Sequence, residues 1–570
     1  MGHGHCYALA GAIYGSIASH LRTRVNSRAK LDGRTFDVLI IGGGINGVAI
    51  ARQCAHTGRR TLLVEQQDFA AGTTSRSTRL IHGGLRYLEQ GDIAQVRESL
   101  RERQMLLQQY PHLVCRLEFL LAVDDNSRRS ALAVRGGLWL YRRMAGAAYT
   151  AVDGREGQAR LERLMDAGRR FSVFNFEDAQ CEFPERLVAE WLVEAMGAGC
   201  VARNHTRALA VKVSNGKVKG ALLRDELTGL EEIVEATWII NATGPWADEI
   251  CGASGIRTGP PMIGGVRGSH VVLPKFAGAP DVAVYTEAVD ARPIFVIPWN
   301  EQILVGTTEV PDSGDPGRVR PSDDEVQYLL SSLRRLFPRA EFSRSDVRYS
   351  FAGIRPLPYS SKANPLAITR RHSFRDHAPD GAAGMISLIG GKLTTAGCVA
   401  RECAEKIGIR RLSVPVTAVS SELSIRELTE HAIEEIANVG GIGQEAATVL
   451  FEWYGPRSRQ IAQRARGDAA LCSSLCPHTE HIVAEAIDAF ENQGAITLAD
   501  VLLRRVPIAL GACWSGECGR VASSRIARVM GWDQTRARAE MERFEAECDA
   551  FLQRTAIARL PARAEAEPCS

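Results

Sequence analysis

Phe36-Asp37-Val38-Leu39-Ile40-Ile41-Gly42-Gly43-Gly44-Ile45-Asn46-Gly47 decides the fold. The first six residues are almost wholly apolar and β-favouring, so they read as a buried strand. The strand runs straight into Gly42, Gly44 and Gly47 in GxGxxG spacing. A helix is expected from Asn46 to Thr57, stopped by Gly58 in C-cap position. A second strand, Thr61 to Val64, ends at the acid Glu65. Each part has a physical task. Gly42 permits the tight turn, Gly44 lets a pyrophosphate approach the backbone, and Gly47 lets the helix pack on the strand. The helix N-terminus presents N–H groups and positive partial charge to phosphates. Glu65, about 20 residues on, suits ribose hydroxyls. Together these features specify a dinucleotide site, without separating NAD from FAD.

Downstream lies a hydroxyl-rich loop, Gly72-Thr73-Thr74-Ser75-Arg76-Ser77-Thr78-Arg79, then Leu80-Ile81-His82-Gly83-Gly84-Leu85-Arg86-Tyr87-Leu88. Its glycines permit close backbone approach, and its hydroxyls suit phosphate or ribityl oxygens. Two further strands end in small residues: Thr237 to Ile240 runs into Asn241-Ala242-Thr243-Gly244-Pro245-Trp246, and Met385 to Ile389 into Gly390-Gly391-Lys392-Leu393-Thr394-Thr395. Three such strands suit one long dinucleotide across the C-terminal edge of a parallel sheet. The long insertions between them favour FAD.

The run Leu80 to Leu88 resembles the flavin loop of FAD-dependent glycerol-3-phosphate dehydrogenases, within the glycine-oxidase/D-amino-acid-oxidase flavoprotein group. Further matches follow in the family's order: Asn241 to Trp246, Arg267-Gly268-Ser269-His270, Phe295 to Trp299, Gly306-Thr307-Thr308, Gly353-Ile354-Arg355-Pro356-Leu357, Ala367-Ile368-Thr369-Arg370 and Gly390 to Thr395. The resemblance runs from Phe36 into the C-terminal region. It implies an α/β fold: a Rossmann-like FAD domain, an antiparallel-sheet substrate domain and a C-terminal helical cap. One departure is Glu309, where the family usually has aspartate after Gly-Thr-Thr.

The resemblance also implies the site. FAD contacts are expected from Gly42, Gly44, Asn46, Gly47, Glu65, Thr74, Ser75, Ser77, His82, Gly83, Gly84, Ala242, Thr243, Gly244, Gly353, Gly391, Lys392, Leu393 and Thr394. Glycerol 3-phosphate is small and dianionic, so its site needs guanidinium forks. Arg355 and Arg370 are expected on its oxygens, with Arg86 and Lys392 adding charge near the flavin and Tyr87 beside them. Arg355 is held by Gly353, Pro356 and Pro358 in a rigid turn. His82 is taken as the base that removes the C2 hydroxyl proton, with Arg86, Arg355 and Lys392 completing the catalytic group; a lysine or arginine of depressed pKa remains an alternative base. The product that the resemblance implies is dihydroxyacetone phosphate. A quinone is the expected electron acceptor, with oxygen as the alternative, as in an oxidase of the same fold. Peripheral attachment to the inner face of the cytoplasmic membrane follows, with a homodimer the assembly considered.

The remaining features bound the problem. The 570 residues suffice for two or three domains. A net charge of +3, without a block of like charge, argues against nucleic acid as a partner. The flavin unit is expected at about 36–115, 172–265 and 350–410, interleaved with substrate segments at 116–171 (helix-rich) and 266–349. Acid-rich Pro321 to Glu325 should start a helix over Val326 to Phe337. Residues 411–570 form a helical domain: Ile425 to Ala437, Gln444 to Tyr454, His481 to Asn492, Leu498 to Arg505 capped by Thr497, and Thr535 to Gln553. Residues 1–35 are a basic extension, disordered or targeting, whose apolar stretch Tyr7 to Ala18 is too short to span a bilayer of about 20 helical residues. The fourteen cysteines are scattered and read as reduced thiols. Cys472, Cys476, His478, His481, Cys513 and Cys518 lie near one another in sequence but lack a CxxC pair, so no metal is expected. No EF-hand loop occurs, which argues against calcium regulation.

Overall fold

The computed structural model describes residues 30–554 apart from 125–126, 147–158, 160–164, 166–170, 277–278, 280, 289, 291, 341, 362–367 and 410–424. Most of the N-terminal extension therefore lies outside the described residues, as does much of 147–170.

Two sheets organise the chain. The first has eight strands. Across it run Ser373–Asp376, Met385–Ile389, Glu231–Asn241, Thr35–Ile41, Thr61–Val64 and Val201–Arg203, with the hairpin Thr206–Ser214/Lys217–Asp225 joined through Glu231–Asn241. The four glycine- or acid-tipped strands anticipated from sequence lie side by side. Val38 pairs with Thr61 and Trp238, and Met385 with Ile239, all in parallel register. The helix Ile45–His56 packs with Pro184–Gly197 and Ala396–Lys406 on one face, over a core that includes Val38, Ile40, Val48, Leu63, Trp191 and Val399. Burial on both faces is why Thr61–Val64 is uniformly apolar after its first residue.

The second sheet has ten strands: Gln553–Arg554, Tyr349–Pro358, Ile263–Pro274, Gln302–Gly306, Pro293–Trp299, Ala283–Glu287, Cys115–Asp124, Phe171–Gln180 and Leu80–Ile81, with Val310–Pro311 added to Ile263–Pro274. Neighbours are antiparallel except Ala283–Glu287 on Cys115–Asp124. The helix Asp323–Leu336 packs against it. Ser322 caps that helix in a reciprocal box with Glu325, so the start falls where the acid-rich segment was expected.

Three sequence expectations need correction here. The segment after Arg116 begins as a ten-residue strand, because Cys115–Asp124 finds a full-length partner in Phe171–Gln180; only Ala131–Ala145 is a described helix of any length there. Phe171–Gln180 and Tyr349–Pro358 open two of the stretches assigned to the flavin unit, yet both pair in the second sheet. In the C-terminal region His481 lies before its helix, which spans Val483–Asn492, and its imidazole bonds the Glu485 carboxylate at 2.7 Å.

The C-terminal helices are locked to the flavin sheet through a buried ionic knot. Asp68, just past Glu65, is fully buried and takes a two-pronged contact from Arg505 at 2.7 and 2.8 Å, with the Arg504 Nε at 2.5 Å. Asn204 bridges Asp68 and Asp500, and His205 lies 3.1 Å from Asp500. The turn Val501–Arg505 that delivers both arginines follows the Thr497-capped helix Leu498–Asp500.

Candidate active site

The C-terminal ends of the parallel strands open into a cavity of about 950 Å³, near the upper end of small-ligand sites. The cavity continues under the second sheet, past Phe119, Leu121, Phe176 and Phe295. Gly42, Gly44, Glu65 and Asn46 line one end, and Ala242, Thr243 and Gly244 line a neighbouring strand tip.

The residues at this end fit FAD. A Cβ on Gly42 would stand 2.5 Å from the Ala242 carbonyl oxygen, and one on Gly47 only 1.8 Å from that of Gly42. Gly47 is therefore consumed by strand–helix packing, and Gly42 by the close approach of the Ala242 strand tip. Gly44, which lines the cavity as Gly42 does, is uncrowded: its Cβ position meets only the Thr74 hydroxyl, at 3.3 Å, which leaves room for a close phosphate approach. Glu65 accepts the Gly43 N–H at 2.7 Å and the Gln67 N–H at 2.9 Å. Burial pushes its carboxyl up, and those two bonds pull it back. Each of its oxygens keeps a lone pair for a ribose hydroxyl. The Asn46 Oδ1 is buried without a partner. The Gly391 backbone crowds against that amide.

Of the loop residues, Thr74, Ser77, His82, Gly84, Gly353, Lys392, Leu393 and Thr394 line the cavity; Gly47, Ser75 and Gly83 do not. The Ser75 hydroxyl donates inward to the Ala70 carbonyl at 2.7 Å. Gly83 donates its N–H to buried Asp178 at 2.9 Å, and a side chain there would strike the Tyr141 hydroxyl. Those two residues hold the loop's shape from behind. Thr74 accepts the Ile45 N–H at the helix start, and Thr394 accepts the His82 N–H.

The substrate residues expected from sequence share the other end of the cavity: His82, Arg86, Tyr87, Arg355, Arg370 and Lys392. Arg355 is anchored by the Thr307 hydroxyl at 2.8 Å and the Thr308 carbonyl at 3.2 Å. Gly268 makes room for it, since a Cβ there would lie 2.4 Å from its terminal nitrogens. Burial, reinforced by Arg370 and Arg86, lowers the Arg355 pKa to about 10. Lys392 lies over the Tyr87 ring, 4.1 Å from its centroid. In the amide orientation that satisfies both ends, Gln95 accepts from Lys392 at 2.6 Å and donates to Asp92. Burial, aided by Arg370, brings the Lys392 pKa down to about 7 against the pull of Glu98 and Asp92. His82 is driven to about 3 by burial and by Lys392, Arg370 and Arg86.

Two descriptions of known families match: FAD dependent oxidoreductase over residues 37–405, and C-terminal domain of alpha-glycerophosphate oxidase over 388–537. The chain is 36% identical over 537 residues to a protein named glycerol-3-phosphate dehydrogenase from Synechocystis sp., covering 90% of this chain and 96% of that one. The chain belongs to the FAD-dependent glycerol-3-phosphate dehydrogenase family. A D-erythritol 1-phosphate dehydrogenase of Brucella abortus is 35% identical, over 66% of this chain and 74% of its own. The crystal structure of the Bacillus halodurans glycerol-3-phosphate dehydrogenase complexed with FAD shares the fold: TM-score 0.72, 22% identity, 91% of this chain and 96% of that one.

For this glycerol-3-phosphate dehydrogenase family member, sequence reasoning undervalued Glu309. Its carboxylate pairs with Arg370 and lies 3.8 Å from Arg86. Burial raises its pKa, but Arg370, Arg355 and Arg86 outweigh burial and hold it low, hence ionised. Its second oxygen is buried and has no hydrogen-bond partner. Sequence singled Glu309 out as a departure from aspartate; it could not reveal that three guanidinium groups surround it. Gln95 was missed altogether and Gly268 was noted only within a motif, because each acts through a contact with a residue far away in sequence.

Proposed function

We propose that the protein oxidises sn-glycerol 3-phosphate to dihydroxyacetone phosphate and passes the electrons to a quinone. The observation that carries this is the convergence of Arg86, Arg355 and Arg370 in the same cavity as the flavin cradle, beside a lysine of near-neutral pKa. Several guanidinium groups suit a phosphate dianion, for which an amino-acid substrate has no equivalent. Glu309 keeps Arg370 and Arg86 aligned.

FAD, when bound, supplies the two-electron acceptor for the hydride leaving C2. The C2 hydroxyl proton goes to the Lys392 Nζ, which is substantially neutral at pH 7 and therefore matched to the task. This assignment replaces the sequence-based choice of His82. An imidazole with a pKa of about 3 is neutral throughout the working range but a weak proton acceptor. His82 instead contributes an uncharged polar wall beside Tyr87. Arg355 and Arg86 stabilise negative charge developing on the C2 oxygen.

Among the described residues no helix is long and apolar enough to cross a membrane. The helix Ala131–Ala145 suits peripheral attachment at the inner face of the cytoplasmic membrane. It lines the cavity through Ala133, Val134 and Gly137, and exposes Leu132 (79%) and Trp139 (68%) beside Arg135 and Arg143. An apolar face with flanking arginines suits an anionic bilayer, and it sets a lipid-borne acceptor near the cavity mouth.

The test is dye-linked oxidation of glycerol 3-phosphate with product analysis, run beside a four-carbon polyol phosphate and glycerol. The expected result is dihydroxyacetone phosphate and a preference for glycerol 3-phosphate. A preference for the four-carbon substrate would overturn the substrate assignment. Flotation with anionic vesicles, lost in Trp139→Ser, tests the attachment; equal flotation of both proteins would remove the helix from that role.

A further inference from the structure

The C-terminal helical region holds a group of side chains with no part in the redox site. Cys476 and His478 lie in the turn between the short helix Ala469–Cys472 and the helix Val483–Asn492; Cys513 precedes, and Cys518 sits in the first turn of, the helix Gly516–Met530. One ligand atom from each of these four residues lies within 4.8 Å of all the others. None of the four lines the large cavity.

We propose that Cys476, His478, Cys513 and Cys518 bind one Zn²⁺ in a closed, tetrahedral structural site. A tetrahedron with Zn–S bonds of about 2.3 Å and a Zn–N bond of about 2.0 Å has S···S edges of about 3.8 Å and S···N edges of about 3.5 Å. The His478 Nδ1 stands 3.5 Å from the Cys518 sulfur. Three thiolates and an imidazole select zinc over hard cations such as Ca²⁺ or Mg²⁺. The spacing Cys513-x₄-Cys518 falls within the range of zinc-binding cysteine pairs. Four protein ligands leave no open position, so the site is structural and not catalytic.

The surroundings favour thiolates. Ser515 caps the helix Gly516–Met530 by accepting the Cys518 N–H at 3.3 Å, and its hydroxyl also faces the Cys518 sulfur at 3.4 Å. Cys518 thus lies where the helix N-terminus favours negative charge. The His478 backbone N–H faces the Cys476 sulfur. Such N–H and O–H contacts orient metal ligands and offset their charge. Cys476 and Cys518 are buried. Cys472 and His481, near neighbours in sequence, are used elsewhere: Cys472 bonds the Ala465 carbonyl and His481 bonds Glu485. This revises the expectation of no metal, which rested on the missing CxxC pair. The ligands come from Cys-x-His and Cys-x₄-Cys segments more than thirty residues apart, joined by the tertiary fold. The ion would tie the turn before Val483–Asn492 to the start of Gly516–Met530.

Elemental analysis of the full-length, flavin-loaded protein, purified without chelator or added metal, tests the proposal. The expected content is about one zinc per chain, falling to less than about a tenth in Cys513→Ser and Cys518→Ser with flavin content unchanged. Should those variants fail to fold, cobalt-substituted wild-type protein decides, by its thiolate-to-cobalt charge-transfer absorption and tetrahedral d–d bands. Protein that contains no zinc and takes up neither zinc nor cobalt would overturn the proposal. So would zinc that survives both substitutions, or a disulfide among the three cysteines found by mass spectrometry of anaerobically purified protein.

Discussion

The Lys392 ammonium stands 4.1 Å from the centroid of the Tyr87 ring, and burial holds its pKa at about 7. The aromatic face partly compensates the cation for lost water. Arg370 pulls the other way. The lysine is thereby poised between its two forms at neutral pH.

A base works when unprotonated, so the rate of substrate oxidation should rise with pH and level off above about 7, falling about tenfold per pH unit on the acid side. Lys392→Met should cost about 10²- to 10⁴-fold and abolish that acid limb. Lys392→Arg should not rescue it, because arginine stays protonated. Stopped-flow pH profiles check this. A full acid limb in Lys392→Met would return the role to another group, with His82 next in line.

Arg370→Gln should raise KM for glycerol 3-phosphate by about 10- to 100-fold, the worth of a charge-assisted bond to a phosphate, while kcat changes much less. Steady-state kinetics separate the two. A fall in kcat at constant KM would place Arg370 on the reacting carbon and not on the phosphate.

Gly47→Ala should yield protein without flavin, because its Cβ would lie 1.8 Å from the Gly42 carbonyl oxygen and force the helix off the strand. Gly58→Ala is the informative control: Gly58 has a positive φ, which Gly47 does not, and nothing crowds it. That variant should keep its flavin and lose about 1 kcal/mol of stability. The ratio of flavin to protein absorbance reads both.

Asp68→Asn removes the charge that Arg504 and Arg505 share in the interior. Arg504 keeps Asp500 and Glu547, but the buried Arg505 loses its carboxylate partner; stranding that charge costs about 3–5 kcal/mol, so the unfolding midpoint should fall by roughly 5 °C. Differential scanning fluorimetry measures it. An unchanged midpoint would mean that the knot carries no net stability.

Legibility in sequence followed contact distance. The strand Thr35–Ile41, its glycine turn and the helix Ile45–His56 were readable because a local apolar pattern and three glycines specify them. The cap at Thr497 and the helix Gln444–Tyr454 were readable for the same reason. The pairing of Leu80–Ile81 with Phe171–Gln180 was not, since no local signal marks a partner a hundred residues away. Site residues followed the same rule. Arg355 and Lys392 stood out through motif resemblance. Ser75 and Gly83 also stood out but face away from the cavity, because a motif does not tell which side of a loop meets the ligand. Glu309 shows the converse: an acid that sequence marked only as a departure from aspartate acquires its meaning from three arginines delivered by other segments.

The most direct measurement is the visible spectrum of the purified protein before and after anaerobic addition of glycerol 3-phosphate. Bound flavin absorption that bleaches on addition, with stoichiometric dihydroxyacetone phosphate, is the expected result. A protein that stays colourless after incubation with FAD, or a flavin that keeps its colour in excess substrate, would contradict the account.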